Sequence, residues 1–314
     1  MRIGIDIMGG DYAPLEAIKG CIKAAAELPG TELVLIGDKD AAAPVFEQLG
    51  SNISQFNFVH APETIGMSES PVKAITQKKE SSIAIGFGLL KAGQIDAFAS
   101  AGNTGAMMVG AMYSVKTIEG IMRPAIGTIL PKYTGGLGYM LDVGANADCK
   151  PDVLFQFGLL GSLYAQHVYK IENPRVALLN LGEEKEKGSI VTQAAYQLME
   201  GTNLYNFVGN AEGRDLFLDT SDVIVCDGFT GNAVLKACES MCYLLTKRGV
   251  QDEFLGRFDY ENYGGTAILG VNAPVIIGHG ISREKAFFNM IKLGRDVAET
   301  KLTDKIRTSF SMSV

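Results

Sequence analysis

Short apolar segments that end in glycine with Asp, Asn or Thr recur along the chain, and this pattern constrains the fold most. The endings are Gly9-Gly10-Asp11, Gly102-Asn103-Thr104, Asp142 to Asn146, Gly182-Glu183-Glu184 and Asp227 to Asn232. Segments of this kind alternate with helical patterns, which predicts an α/β protein with a mostly parallel sheet covered on both faces. Because the carboxyl ends of parallel strands bound the ligand crevice of such sheets, the endings are expected to share one site. Any single ending is better explained as ordinary turn chemistry, and only the set as a whole favours a shared site.

The spacing of apolar residues predicts the individual elements. Strands are predicted over residues 2–7, 32–36, 56–60, 95–99, 175–179, 204–208, 222–226 and 274–277. Residues 125–130 and 138–142 flank Thr134-Gly135-Gly136 and predict a β-hairpin. Ser282 is predicted to cap the final helix. No linker divides the chain, so residues 1–314 are expected to form a single α/β unit, with a smaller second lobe or dimerisation extension from about 125–150 and 235–265.

Charge and composition exclude several classes of protein. The 314 residues carry a net charge of −7, with 28 Lys and Arg against 35 Asp and Glu, which offers no general attraction to nucleic acid. No apolar run approaches the roughly 20 residues of a membrane-spanning helix, and the first residues lack the apolar core of a signal peptide. The five scattered cysteines indicate reduced thiols and a cytoplasmic protein rather than a disulfide framework.

The segment from Ser100 to Ala106 is the strongest candidate for a binding loop. It joins an apolar strand pattern to an apolar helix pattern, so the N–H groups of Gly102, Asn103, Thr104 and Gly105 would lie at a helix N-terminus. Free N–H groups and the helix dipole favour an anion such as phosphate there. The sequence therefore predicts an anion site, which we call the anion loop, without yet naming a reaction.

Familiar catalytic motifs are missing. The chain contains no G-x-G-x-x-G after a strand, no P-loop, no G-x-S-x-G and no H-E-x-x-H or paired C-x-x-C. We therefore predict no metal and no cofactor, and Cys238 and Cys242 on one helix face are interpreted as packing residues. Since no protein nucleophile is evident, the chemistry is expected to use a bound nucleophile held by the loops.

Two further residues are candidates for catalysis. His279 lies between two glycines at a strand end, and a structural role is an equally good interpretation of it. Lys236 follows Asn232 by one helical turn and would point toward the same loop, with a solvated helix lysine as its alternative.

Taken together, these segments resemble the bacterial family of acyl-carrier-protein:phosphate acyltransferases. The resemblance spans nearly the whole chain and rests on seven short motifs in the same order. They are residues 6–11, Ser100 to Ala106, Leu141 to Asn146, Asn180 to Glu184, Asp227 to Asn232, Tyr263-Gly264-Gly265 and Gly278-His279-Gly280.

The resemblance implies transfer of a long-chain acyl group from acyl carrier protein to inorganic phosphate, giving acyl phosphate for phospholipid synthesis. It implies a homodimer with a fold similar to isocitrate and isopropylmalate dehydrogenases and to phosphotransacetylases. It also implies a cytoplasmic enzyme, peripheral at the inner membrane face, whose product feeds a membrane-bound glycerol-3-phosphate acyltransferase. In this scheme Gly102, Asn103, Thr104 and Gly105 hold phosphate, while Asn232 and Lys236 polarise the thioester carbonyl. His279 assists proton movement, and Asp11, Asp142 and Asn146 line the crevice.

Two departures from the family pattern and three alternatives remain. Tyr12 stands where many members carry His, and the stretch between Leu245 and Tyr263 is shorter than the membrane-contacting segment of many members. Lys247, Arg248 and Arg257 are candidates for docking an acidic carrier protein, although solvated surface charges are the default interpretation of them.

The alternative functions are a small acyl-coenzyme A:phosphate acyltransferase, an NAD-dependent decarboxylating dehydrogenase, and a non-catalytic module that binds carrier protein.

Overall fold

A computed structural model describes residues 1–311 of the chain. Within these residues the chain forms eleven β-strands and eleven α-helices. The strands are β1 (Arg2–Asp6), β2 (Glu32–Gly37), β3 (Asn57–His60), β4 (Ala97–Ser100), β5 (Ala125–Pro131), β6 (Leu137–Leu141), β7 (Arg175–Leu179), β8 (Asn206–Ala211), β9 (Val223–Val225), β10 (Thr266–Leu269) and β11 (Val275–Ile277). The helices are α1 (Leu15–Glu27), α2 (Lys39–Gln48), α3 (Pro71–Gln77), α4 (Ser82–Lys91), α5 (Thr104–Gly110), α6 (Pro151–His167), α7 (Ile190–Glu200), α8 (Gly228–Lys247), α9 (Glu253–Gly256), α10 (Glu284–Glu299) and α11 (Leu302–Ser311).

The first of two compact units comprises Met1–Ile118 and Tyr260–Thr303. Its strands lie in the order β3–β2–β1–β4–β11–β10. All neighbours from β3 to β11 pair in parallel, and β10 runs antiparallel to β11. Ile3, Ile5 and Phe98 of the central strands are fully buried. Uninterrupted apolar runs of this kind suit parallel strands that are covered on both faces.

Among the described residues, the second unit comprises Glu119–Asp259 and Asp304–Ser311. Its strands lie in the order β5–β6–β9–β7–β8. β5 and β6 form the predicted antiparallel hairpin, and β6, β9, β7 and β8 pair in parallel. In the core of this unit the rings of Tyr139 and Tyr164 stack with centroids 4.4 Å apart. The strand pattern alternating with helices thus confirms the α/β class with mostly parallel strands.

The bounds of the two units differ from the sequence-based expectation of one unit with a small lobe. The stretch of about 125–150 lies within the second unit, whereas 235–265 is divided at residue 260. The unit bounds depend on contacts between distant segments, which local patterns do not reveal.

The predicted cap of the final long helix is wrong. α10 begins at Glu284 after Arg283, and no side chain of that turn caps it. The backbone N–H of Glu284 instead donates a hydrogen bond of 2.9 Å to Oε2 of Glu16 on α1. The hydroxyl of Ser282 is buried and has no hydrogen-bond partner within residues 1–311. The cap therefore comes from a residue 268 positions away, which no local rule could find.

Helix α8 is buried only at its start. Gly228 and Gly231 are its buried residues, whereas Met241, Tyr243 and Leu244 are 59%, 60% and 52% exposed. The segment that follows is anchored instead: the rings of Phe254 and Phe258 lie 5.2 Å apart, and Arg257 donates to the Lys132 carbonyl at 2.9 Å. Among the helices of residues 1–311, none combines the length and apolarity that a bilayer-spanning segment needs.

Candidate active site

Three loops of the first unit meet at the carboxyl ends of its neighbouring strands β1, β4 and β11. The N–H of Asp11 donates a hydrogen bond of 2.7 Å to the Gly280 carbonyl. A Cβ atom on Gly9 would lie 2.6 Å from the backbone nitrogen of Gly102, so only glycine allows this approach. The structure therefore brings together the loops of Asp11, of the predicted anion site and of His279.

Two buried side chains fix the start of the anion loop. Ser100 donates a hydrogen bond of 2.6 Å to Asp6, and its oxygen accepts one of 3.0 Å from the N–H of Gly102. Burial raises the pKa of the Asp6 carboxyl, although hydrogen bonds from Ser100 and from the Met8 N–H favour its charged form. Because the Gly102 N–H donates to Ser100, it is not free to bind phosphate as expected.

The side chain of Asn103 is committed as well. Its Oδ1 accepts a hydrogen bond of 2.9 Å from the N–H of Ala106, which caps α5. Its amide nitrogen donates to the carbonyls of Gly66, Met67 and Glu69 at 3.0 to 3.1 Å. Only 4% of the residue is exposed. These contacts leave the side chain no capacity for a direct bond to phosphate.

The remaining donors of the anion loop are open. Within residues 1–311, no hydrogen bond from the N–H groups of Asn103, Thr104 or Gly105 is found, and the Thr104 side chain is exposed. Gly105 also serves packing, because a Cβ atom there would overlap Pro71 of α3. Of the predicted phosphate-binding groups, the N–H groups of Asn103, Thr104 and Gly105 and the Thr104 hydroxyl remain available to a ligand.

His279 is half-buried and is held by Tyr260. The two rings lie 5.1 Å apart, and the Tyr260 hydroxyl donates to the Ile281 carbonyl at 2.9 Å. Tyr12, at the position of the family histidine, is 40% exposed and packs under the Arg283 guanidinium, 4.2 Å from its ring centroid. The imidazole of His279 is thus oriented by an aromatic neighbour beside the Asp11 loop.

In the second unit, the predicted crevice residues Asp142 and Asn146 form hydrogen bonds that fix the loop after β6. Asp142 is fully buried and accepts hydrogen bonds from the N–H groups of Ile126, Ala145 and Asn146 and from the Asn146 amide. Burial raises the pKa of the Asp142 carboxyl despite these bonds. The Asn146 amide also donates to the Pro124 carbonyl at 2.8 Å. Both side chains therefore hold the protein together, and a direct contact with substrate is not supported.

The loop of Asp142 and Asn146 in turn positions the start of α8. The Asn146 carbonyl accepts a hydrogen bond of 2.7 Å from Gly228, and a Cβ atom on Gly231 would overlap the Asp142 carbonyl oxygen. Asp227 caps the helix through the Thr230 N–H at 2.8 Å. This fixed turn carries Asn232.

Asn232 and Lys236 are both exposed, and Lys236 lies one helical turn after Asn232 on α8. Asn232 lies beside Gly144, 3.8 Å from the place of a Cβ atom there. Lys236 is 49% exposed and pairs with Glu239 at 2.7 Å. Their predicted spacing on one helix is confirmed, and their catalytic roles stay predictions.

Asp6 and Ser100 lie within motifs named from the sequence, but no role was predicted for either side chain. Both end apolar strands, and a polar residue at such a position is a signal that could have identified their buried contact. The segment from Gly66 to Glu69 carried no such signal, because its link to Asn103 spans more than thirty residues. Within residues 1–311, no cluster of His, Cys, Asp or Glu is arranged to hold a metal ion.

Comparison with known proteins decides the family. Residues 1–254 match the family described as fatty acid synthesis protein. The phosphate acyltransferase of Thermoanaerobacterium thermosaccharolyticum is 43% identical, over 99% of this chain and 97% of its own. That of Listeria innocua is 40% identical, over 98% of this chain and 96% of its own. The chain belongs to the phosphate acyltransferase family.

Solved structures show how this phosphate acyltransferase family member is folded. A phosphotransacetylase from Streptococcus pyogenes is 17% identical with a TM-score of 0.65, covering 95% of this chain and 94% of its own. A protein described as a 4-hydroxythreonine-4-phosphate dehydrogenase from Salmonella typhimurium is 13% identical with a TM-score of 0.56, covering 94% and 99%. The fold predicted by resemblance to phosphotransacetylases is confirmed.

Proposed function

We propose that the chain transfers a long-chain acyl group from the thioester of acyl carrier protein to inorganic phosphate. The observation that carries the proposal is its near full-length identity of 43% to a phosphate acyltransferase. A phosphate oxygen attacks the thioester carbonyl carbon, the new C–O bond forms and the C–S bond breaks. Hydrogen phosphate loses its proton and the departing sulfur gains one, so the products are acyl phosphate and the free carrier thiol.

The open donors of the anion loop suit the nucleophile. The N–H groups of Asn103, Thr104 and Gly105, with the Thr104 hydroxyl, would hold the phosphate dianion at a helix start. Because phosphate itself attacks, no serine or cysteine nucleophile is required. Holding the two reactants in the attacking geometry contributes on the order of 7–11 kcal/mol in well-oriented reactions.

The thioester carbonyl needs donors where negative charge develops. We assign Asn232 and Lys236 to this oxyanion, since both are exposed and lie one helical turn apart on α8. Loss of one such donor costs about 3–4 kcal/mol in other acyl transfer enzymes. His279 would move the proton from phosphate to the leaving sulfur. Because a thiol has a pKa of about 8.5, its departure needs little acid assistance.

The same proposal covers partners and place of action. Acyl carrier protein is the donor and phosphate the acceptor, with a second copy of the chain as the structural partner. The exposed Met241, Tyr243 and Leu244 of α8 support burial of that helix in a homodimer. The enzyme would act in the cytoplasm at the inner membrane face, where a membrane-bound acyltransferase consumes the acyl phosphate.

The choice of donor tests the proposal. Purified protein is incubated with phosphate and either palmitoyl carrier protein or a coenzyme A thioester, and acyl phosphate is trapped with hydroxylamine. We expect turnover with palmitoyl carrier protein that depends on phosphate. Preference for a short acyl-coenzyme A would favour the alternative that the phosphotransacetylase-like fold supports. Binding of carrier protein without turnover of any thioester would instead indicate a non-catalytic module.

The roles of Asn232 and Lys236 are tested by Asn232→Ala and Lys236→Ala. Each is expected to lower kcat by roughly a hundredfold if it stabilises the oxyanion. Lys91→Ala, at an exposed lysine of α4 with no proposed role, is the matched control and should retain near wild-type kcat. Wild-type turnover in both site variants would remove the assignment.

A further inference from the structure

The segment from Gly66 to Glu69, the 66–69 segment, is held closely against the anion loop. Three of its carbonyls accept hydrogen bonds of 3.0 to 3.1 Å from the one amide group of Asn103. Glu69 closes the segment from within, because its Oε1 accepts from the Gly66 N–H and from Lys78, both at 2.7 Å. A buried amide that serves three carbonyls of one segment fixes its position.

The segment carries an exposed apolar side chain at the candidate site. Met67 is 47% exposed, and its Cε would lie 2.8 Å from a Cβ atom on Gly280. It therefore rests on the residue that follows His279. Ile281 and Tyr12 on the adjoining loops are also exposed, by 43% and 40%. Apolar side chains that surround an anion site on one edge of a sheet would meet the apolar part of a substrate rather than phosphate.

We propose that Met67 contacts the apolar part of the acyl donor, and that Asn103 is a positioning residue that acts through Met67. The flexible, polarisable thioether of methionine suits a chain that must slide past it. The inference rests on the proposed function, because it presumes a donor with an apolar acyl chain.

Steady-state kinetics of Asn103→Ser, Met67→Ala and the double variant test the proposal. Serine retains an oxygen that can cap α5 but lacks the amide donors. Each single change is expected to raise KM for palmitoyl carrier protein about tenfold and to leave KM for phosphate within about twofold. Because both changes disturb one contact, the double variant should be no worse than the worse single one. Asn52→Ser is the matched control, since Asn52 caps a remote turn through the Ser54 N–H at 2.9 Å.

Two kinetic outcomes would overturn the proposal. If Asn103→Ser raises KM for phosphate and its effect multiplies with that of Met67→Ala, Asn103 acts on phosphate independently. If Met67→Ala leaves KM for donors of every chain length unchanged, Met67 does not contact the acyl chain. Should Asn103→Ser fail to fold, Asn103→Asp replaces it, because a carboxylate also caps the helix but cannot donate.

Hydrogen exchange separates this inference from the proposed function. The N–H of Glu69, bonded to the Gly66 carbonyl at 3.1 Å, should exchange at least about tenfold faster in Asn103→Ser and at the wild-type rate in Asn52→Ser. Absence of acyl phosphate from the wild type would reject the function, whereas unchanged exchange in Asn103→Ser would reject the positioning role.

Discussion

Ser100 and Asp6 join the ends of two neighbouring strands by a buried hydrogen bond of 2.6 Å, although 94 positions separate them in the chain. The strands β1 and β4 pair in parallel, with Ile5 opposite Ala99, so the residues that follow each strand lie side by side. Ser100 also accepts the Gly102 N–H. The pair thus fixes the backbone at the point where the anion loop begins.

Replacement of Ser100 by alanine should destabilise the protein. The Gly102 N–H and the buried Asp6 carboxylate would each lose a partner, and a buried group left unpaired costs about 1–3 kcal/mol. We expect the free energy of unfolding in urea to fall by about 2–4 kcal/mol. Ser54→Ala, at an exposed position outside any proposed interface, is the control and should change it by less than about 0.5 kcal/mol. Equal effects of the two changes would contradict the structural role of Ser100.

The hydroxyl of Thr104 should contribute to phosphate binding. Thr104→Val removes the hydroxyl and keeps the shape, so KM for phosphate should rise roughly tenfold, as expected for loss of one hydrogen bond to an anion. Thr104→Ser retains the hydroxyl and should restore the wild-type value. Initial rates over a range of phosphate concentrations measure both. Wild-type KM for phosphate in Thr104→Val would place the anion elsewhere.

The start of α10 gives a contrast between two nearby polar groups. Glu16→Ala removes the acceptor of the Glu284 N–H and should lower the free energy of unfolding by about 1–2 kcal/mol, as loss of a cap does. Ser282→Ala removes a buried hydroxyl that has no partner within residues 1–311, so it should be neutral or slightly stabilising. Thermal unfolding of the two variants decides the matter. A larger loss of stability in Ser282→Ala than in Glu16→Ala would show that Ser282 caps the helix after all.

These examples show which features the sequence could predict. Strands were predicted where apolar spacing is local and strong, as in β1 or in the hairpin of β5 and β6. The strand β10 was missed, and its antiparallel pairing with β11 is a tertiary contact that local patterns do not reveal. The cap of α10 was wrong because its acceptor comes from α1, and local rules see only neighbouring residues.

An ion network in the second unit should make stability depend on acid pH. Burial acts to raise the pKa of the Asp222 carboxyl, but hydrogen bonds from Arg175 and Lys132 outweigh it and hold the pKa well below its usual range. Because the folded pKa is depressed, this stabilisation is complete above the unfolded pKa of about 4 and is lost as the pH falls below it. Urea unfolding at a series of pH values from 7 down to about 3 measures this loss.

Two variants assign that pH dependence to Asp222. Asp222→Asn should lower the free energy of unfolding at pH 7 by on the order of 2–3 kcal/mol and flatten its decline in acid. Asp148→Asn, at an exposed carboxylate, should leave both unchanged. If the free energy of unfolding of Asp222→Asn still falls in acid as steeply as that of the wild type, other carboxylates cause the pH dependence.

The candidate site was predicted at the level of loops rather than of individual atoms. Glycine and polar residues after apolar strands correctly marked the loops of Asp11 and Gly102, which follow the neighbouring strands β1 and β4. That all five predicted endings share one site stays a prediction. The residue types could not indicate that the Gly102 N–H and the Asn103 side chain are used inside the protein, since both partners depend on tertiary contacts. For the same reason the sequence could not show that Asp142 and Asn146 are buried and hydrogen-bonded to each other. The same two residue types are equally typical of the lining of a crevice.

Release of carrier thiol in the absence of phosphate distinguishes phosphate as the nucleophile from a nucleophilic side chain of the protein. If phosphate is itself the nucleophile, mixing the protein with palmitoyl carrier protein alone should release no thiol. Adding phosphate should start release, with one acyl phosphate formed for each thiol. A burst of one thiol per chain before phosphate is added, with a palmitoyl group covalently attached to the protein, would contradict the account.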